Sequence, residues 1–157
     1  MKTRKSTVEE VTMNKLATMV ILAALLGGCA ATTSIQRVRA KLDQVCIERN
    51  PQVEVYDLLE VIEANLRRHK IETRVFDVSP APCPYRLTYD ASRRWDLKAF
   101  LSDAQILLLH DHEIIGRAEF HWPAGVFGAG GPNPEKWRGT AFKIDPIMDQ
   151  MLADIEK

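Results

Sequence analysis

Four histidines, a glycine-rich stretch and scattered carboxylates are the groups of this 157-residue chain that could do chemistry. His110 and His112 are two apart. On an extended backbone they share a face, and with His121 further along they could offer imidazole nitrogens to a metal ion. The segment His110-Asp111-His112-Glu113 falls between two apolar runs, where a hairpin turn is expected. His121 shares its parity with Arg117 and Glu119, the solvent side of its run. Solvated histidines are the simpler reading. Gly128-Ala129-Gly130-Gly131 could cradle an anion with backbone N–H groups. It has neither the strand before and helix after of nucleotide loops nor a following Lys-Ser/Thr, so a surface loop is expected there. Phe127, Trp122 and Trp137 around it form either an exposed aromatic rim or a cap on the core. Asp90, Asp96 and Asp103 show no paired spacing, Ser92 and Ser102 lack a nucleophile elbow, and Arg93-Arg94 reads as a solvated basic step. No catalytic set, metal site or cofactor emerges, and the chain reads as non-enzymatic.

The three cysteines divide by context. Leu16–Leu26 is an apolar to weakly polar run preceded by Lys15 and followed by Gly27-Gly28-Cys29. It is about half of the roughly 20 residues that a membrane-spanning helix needs. A short run with a positive flank and small residues after it reads as a secretion signal over residues 1–28. Glu9 and Glu10 are out of place in a positive leader, and Met13-Asn14-Lys15 is the cleaner start. Leu26-Gly27-Gly28-Cys29 closely resembles the lipobox of bacterial lipoproteins. The resemblance implies cleavage before Cys29, a diacylglyceryl group on its thiol and an N-acyl chain. Two or more acyl chains anchor stably, at about 0.8 kcal/mol per buried methylene. The residue after the cysteine is Ala30 rather than the aspartate that retains such proteins at the inner membrane. The resemblance therefore implies an outer membrane and its periplasmic side. In that oxidising compartment Cys46 and Cys83 read as a disulfide, with two separate buried thiols as the other reading. Closing a loop of roughly 37 residues contributes about 4 kcal/mol on the chain-entropy estimate.

Charge speaks against two classes of partner. The chain has 21 basic and 21 acidic side chains; without residues 1–28 it has 17 and 19, a net charge of −2. Such a body has no electrostatic reason to seek nucleic acid or anionic lipid. Residues 29–42 are small and polar and read as a lipidated tether, and 43–157 as one domain.

The elements follow from periodicity. Val55, Leu58, Leu59, Ile62 and Leu66 lie on one helical face, predicting a helix over 53–70 that packs on its own sheet. Strands are predicted over 44–49, 72–78, 85–91, 104–109 and 114–122, the last two as an antiparallel hairpin. Ser79–Pro84 is a proline-rich loop. Asp145-Pro146 opens a final helix, with Asp as N-cap and Pro at the first turn. The fold class is α+β: a mainly antiparallel sheet of four to five strands with two helices packed on one face.

From Cys46 onward the chain resembles a group of small Gram-negative lipoproteins of unknown function. The matching residues are Cys46-Ile-Glu-Arg-Asn-Pro51, Cys83-Pro-Tyr85, Trp95-Asp96, Gly116-Arg-Ala-Glu-Phe120 and Lys143-Ile-Asp-Pro-Ile-Met-Asp149. The resemblance supports the Cys46–Cys83 bond and implies no activity. The longer proline-rich loop here departs from the group. The leading expectation is a lipid-anchored envelope protein that binds another envelope component. The alternative is a small-ligand or metal-binding lipoprotein using the glycine loop and His110, His112 or His121.

Overall fold

The chain between Gln44 and Phe76 runs strand, helix, strand, and this unit sets the sheet. A computed structural model of the protein describes residues 31–78, 83–123 and 133–155. The signal segment, Cys29, Phe127 and Gly128–Gly131 lie outside the described residues. From Ala31 onward the chain forms one unit. Its elements are β1 (Thr32–Gln36), β2 (Gln44–Glu48), α1 (Leu58–Arg68), β3 (Glu72–Phe76), β4 (Tyr85–Asp96), β5 (Lys98–His110), β6 (Glu113–His121), a 3-10 turn (Pro134–Trp137) and α2 (Thr140–Met151).

α1 realises the predicted apolar face, with Leu58, Ile62 and Leu66 fully buried. Glu60 in the first turn and Arg67 and Arg68 in the last complement the helix dipole. The helix starts later than its periodicity suggests because Asn50 folds the chain first. Its side-chain oxygen accepts from the Gln52 N–H, and its carbonyl accepts from Val53 N–H. At the other end Lys70 takes the left-handed conformation at φ 63°. Ile71 N–H then donates to Leu66 and Lys70 N–H to Arg67, which satisfies carbonyls that the helix end would leave open.

A helix joining adjacent strands makes them parallel. β2 therefore pairs parallel with β3, Gln44 opposite Glu72 through Glu48 opposite Phe76. It also pairs parallel with β4 at Cys46 and Ile47. The sheet has six strands in the order β1-β6-β5-β4-β2-β3, antiparallel from β1 to β4 and parallel beyond. The expected four to five mainly antiparallel strands are corrected to this mixed sheet. β3 and β4 point the same way. Cys83, two residues before β4, is bonded to Cys46 on β2, their Cα atoms 6.3 Å apart.

Two further expectations are corrected. Of the tether expected over 29–42, the described residues are structured: Thr32–Gln36 pairs along β6, and Val38 and Leu42 are buried in the core. The β-branched Thr32, Thr33 and Ile35 suit a strand, and the β6 edge offers the backbone partners. The last helix begins at Thr140, five residues before the expected cap, and holds Pro146 inside it. Proline there removes a single intrahelical donor, and the buried stripe Ile144, Ile147, Met148 and Met151 compensates.

The two helices pack on each other and on one face of the sheet. That face contributes Leu87, Tyr89, Ile106, Leu108, Ala118 and Phe120 to the core. Gly116 sits in the same layer. A Cβ there would lie 2.3 Å from Val38 Cγ2, so only a glycine lets the segment after β1 close over β6. The substitution Gly116→Ala is expected to destabilise the fold by about 1–3 kcal/mol through overpacking, and Val38→Ala in the same chain to recover much of it. Denaturant unfolding of both single variants and the double variant measures this; strict additivity would refute the contact as the cause.

Candidate functional site

The sheet face opposite the helices carries the polar groups that the sequence singles out. Two rows cross it: Ser92, Asp103, His121 and Thr32 in one, Asp90, Gln105, Glu119 and Ser34 in the next. Alternation along β4, β5 and β6 places them there, since their neighbours fill the core. His121 Nδ1 is 2.5 Å from Asp103 Oδ1, and Ser92 Oγ donates to Asp103 Oδ2 at 3.0 Å. Arg94 reaches the same carboxylate at 3.6 Å. Gln105 and Arg117 both donate to Glu119 Oε1, at 2.8 and 3.0 Å. Asp90, Ser92, Asp103, Gln105, Glu119 and His121 line a shallow depression of about 270 Å³.

The order of this network decides its chemistry. Acyl transfer needs the imidazole between hydroxyl and carboxylate, so that it can take the serine proton. Here the carboxylate lies in the middle and accepts from both sides. The Ser92 hydroxyl is bound to Asp103 and also lies 3.2 Å from Ser102 Oγ, and the His121 imidazole is bonded to Asp103 rather than to it. Burial alone would raise the Asp103 carboxyl. Hydrogen bonds from Ser102, His121 and Ser92, with the Arg94 charge, outweigh it and hold the group below the usual carboxylate range. The Gln105 amide, followed by Arg117, lowers Glu119 in the same way.

The three histidines considered as metal ligands are not brought together. His110 is the last residue of β5 and stacks on Tyr85 with ring centroids 4.7 Å apart. His112 lies in the turn at φ 76°. His121 is at the far end of β6, about 27 Å of strand from that turn. Among the described residues no three His, Cys, Asp or Glu side chains converge on a cation position. Trp122 is buried, its indole nitrogen without a hydrogen-bond partner, and Trp137 is half-buried with its Nε1–H donating to Asp96 O at 2.9 Å. Asp96 is also paired through its carboxylate with Lys136. Of the Arg93-Arg94 step, Arg93 is exposed, while Arg94 reaches the Trp122 carbonyl.

Sequence reasoning misses two buried lysines. Lys143 donates to the carbonyls of Leu101 at 2.9 Å and Lys136 at 2.6 Å. Its ammonium lies 5.4–5.5 Å from the rings of Phe100, Phe120 and Trp122. Lys136 covers Trp137 at 4.5 Å. A signal existed: with the helix begun at Thr140, Lys143 falls at i+3 on the stripe continued by Ile144 and Ile147. Burial lowers the Lys143 ammonium to about 8.

Both groups make stability rise with pH, in different windows. Asp103 has a folded pKa below its unfolded value. Its contribution is complete above about pH 4 and is lost as pH falls through the lower folded value. The stability difference between wild type and Asp103→Asn should therefore shrink as pH drops below about 4; a difference constant down to pH 2 would refute it. Lys143 is shifted the same way, so the unfolded chain holds its proton longer. Unfolding free energy should rise with pH from 8 towards 10.5. Lys143→Met should flatten that rise in denaturant titrations run across the window.

No family model and no curated protein matches the chain. Among solved structures it is similar to a dodecameric PelC variant from Paraburkholderia phytofirmans, at 12% identity and a TM-score of 0.49, over 76% of this chain and 98% of that one.

Proposed function

We propose that the chain is a lipid-anchored, non-enzymatic protein of the cell envelope, held through acylated Cys29 to the periplasmic side of an outer membrane, and that its domain binds another envelope component. The observation that carries this reading is the order Lys15, apolar run, Leu26-Gly27-Gly28-Cys29. A bonded Cys46–Cys83 pair suits the oxidising compartment that the signal addresses. The polar sheet face supports binding over acyl transfer, because Asp103 rather than the His121 imidazole holds the Ser92 hydroxyl. Leu107, Leu109 and Ile115 are half-buried beside that polar network. Such a mixture of apolar and hydrogen-bonding groups is what protein interfaces use.

Envelope fractionation of cells expressing wild type and Cys29→Ser tests the reading. The wild type is expected with the outer membrane and the variant in the soluble periplasm. Crosslinking and pull-down from the same cells should recover a specific partner with the wild type, at reduced yield with the variant. Equal distribution of both forms between membrane and soluble fractions would refute anchoring.

A further inference from the structure

The β4–β5 hairpin extends past the sheet that carries it. The last row it shares with β6 is Asp103 opposite His121; beyond it, Arg93 to Leu101 pair only with each other. The tip at Leu97 stands about 17 Å beyond Ser92 at the rise of a strand. Trp95 is 75% exposed there and Leu97 78%. Two other large exposed apolar side chains lie at this same end: Tyr56, 87% exposed, precedes α1, and Phe142 lies in the first turn of α2. Val78, after β3, lies level with about Asp90, short of the tip. Among the described residues the opposite end has none of comparable exposure. Exposed apolar groups scattered singly need no explanation, but their segregation to one pole does.

Cations accompany them. Arg93, Lys98 and Arg138 are exposed at this pole, Arg138 with its guanidinium 3.4 Å above the Phe142 ring. Of the acids at this pole, Asp96 is engaged by Lys136, Asp57 by the Thr140 hydroxyl and Glu135 by Arg138, while Glu54 is exposed. Trp and Tyr with flanking Arg and Lys form the composition that settles at a bilayer's headgroup layer. The tip is also braced. Trp137 binds the Asp96 carbonyl and Lys143 the Leu101 carbonyl, so little order has to be gained on docking. The described chain enters at the same pole, since Thr32 lies opposite His121.

We propose that this pole seats on a phospholipid surface, with Trp95, Leu97 and Tyr56 at headgroup depth and the cations on lipid phosphates. The proposal rests on the Cys29 lipid reading, because a few interfacial side chains alone hold weakly and gain their effect once an anchor raises local concentration.

The test uses the lipidated full mature chain reconstituted with vesicles of phosphatidylethanolamine and a minority of phosphatidylglycerol, some brominated near the top of the acyl chain. Flotation reports the anchor and tryptophan emission reports the tip. In floated wild type about a third of the emission should be quenched, one tryptophan of three. Trp95→Phe should abolish that quenching. Leu97→Asp, which keeps the reporter, should reduce it. Both positions are exposed, and near-ultraviolet dichroism checks that the fold is kept. Flotation without quenching overturns the proposal and leaves the anchor standing, with the pole then a protein-docking surface. Failure to float, with no added mass on Cys29, overturns both.

Discussion

Lys143 carries its charge into the protein where β5, the 3-10 turn and α2 converge. A buried ammonium is tolerated only where its hydrogens find acceptors. Two are the carbonyls of Leu101 and Lys136, and the faces of Phe100, Phe120 and Trp122 surround the rest. Each acceptor belongs to a different element, so satisfying one charge fixes three pieces of backbone against one another. Lys136 extends the link outward to Asp96 at the base of the hairpin tip. The apolar pole is held in shape by cations beneath it.

A second constraint acts at the other side of the sheet. Val45, Cys46 and Ile47 of β2 are buried in succession, so this strand is covered on both faces. α1 supplies one cover, and on the other face Cys46 is bonded to Cys83. A strand buried in this way has no alternation to read. Its parallel pairing was nonetheless open to inference, because strand, helix and strand in succession favour a parallel crossover. Weighting the alternation of the later strands instead leads to an antiparallel sheet.

What could be read from sequence was whatever depended on spacing within one element. The stripe of α1, the alternation of β4 and β6, and the solvent parity of His121 are of this kind. Three features depended on partners distant in sequence and were hidden. β1 is polar and becomes a strand only because β6 presents an edge. β4 and β5 continue through Ser92–Asp103, beyond the predicted strands 85–91 and 104–109, because cross-strand pairing outweighs local polarity. Asp145-Pro146 has the composition of a helix start, yet apolar contacts on both sides of it carry the helix through. Of the site, the participants Ser92, Asp103 and His121 were visible individually. Their order was not, since it depends on the register of two strand pairs.

The early start of β1 bears on how far such a protein could act. Three peptide units separate Cys29 from Thr32, a span of at most about 10 Å. Were Cys29 fixed to a bilayer, the domain would have almost no leash. It could not sweep the space beneath the membrane in search of a target, as a module on a long linker does. Its work would be confined to a layer about one domain deep, with the same side always turned outward. A partner would have to come to it, and would meet a surface whose orientation was already set.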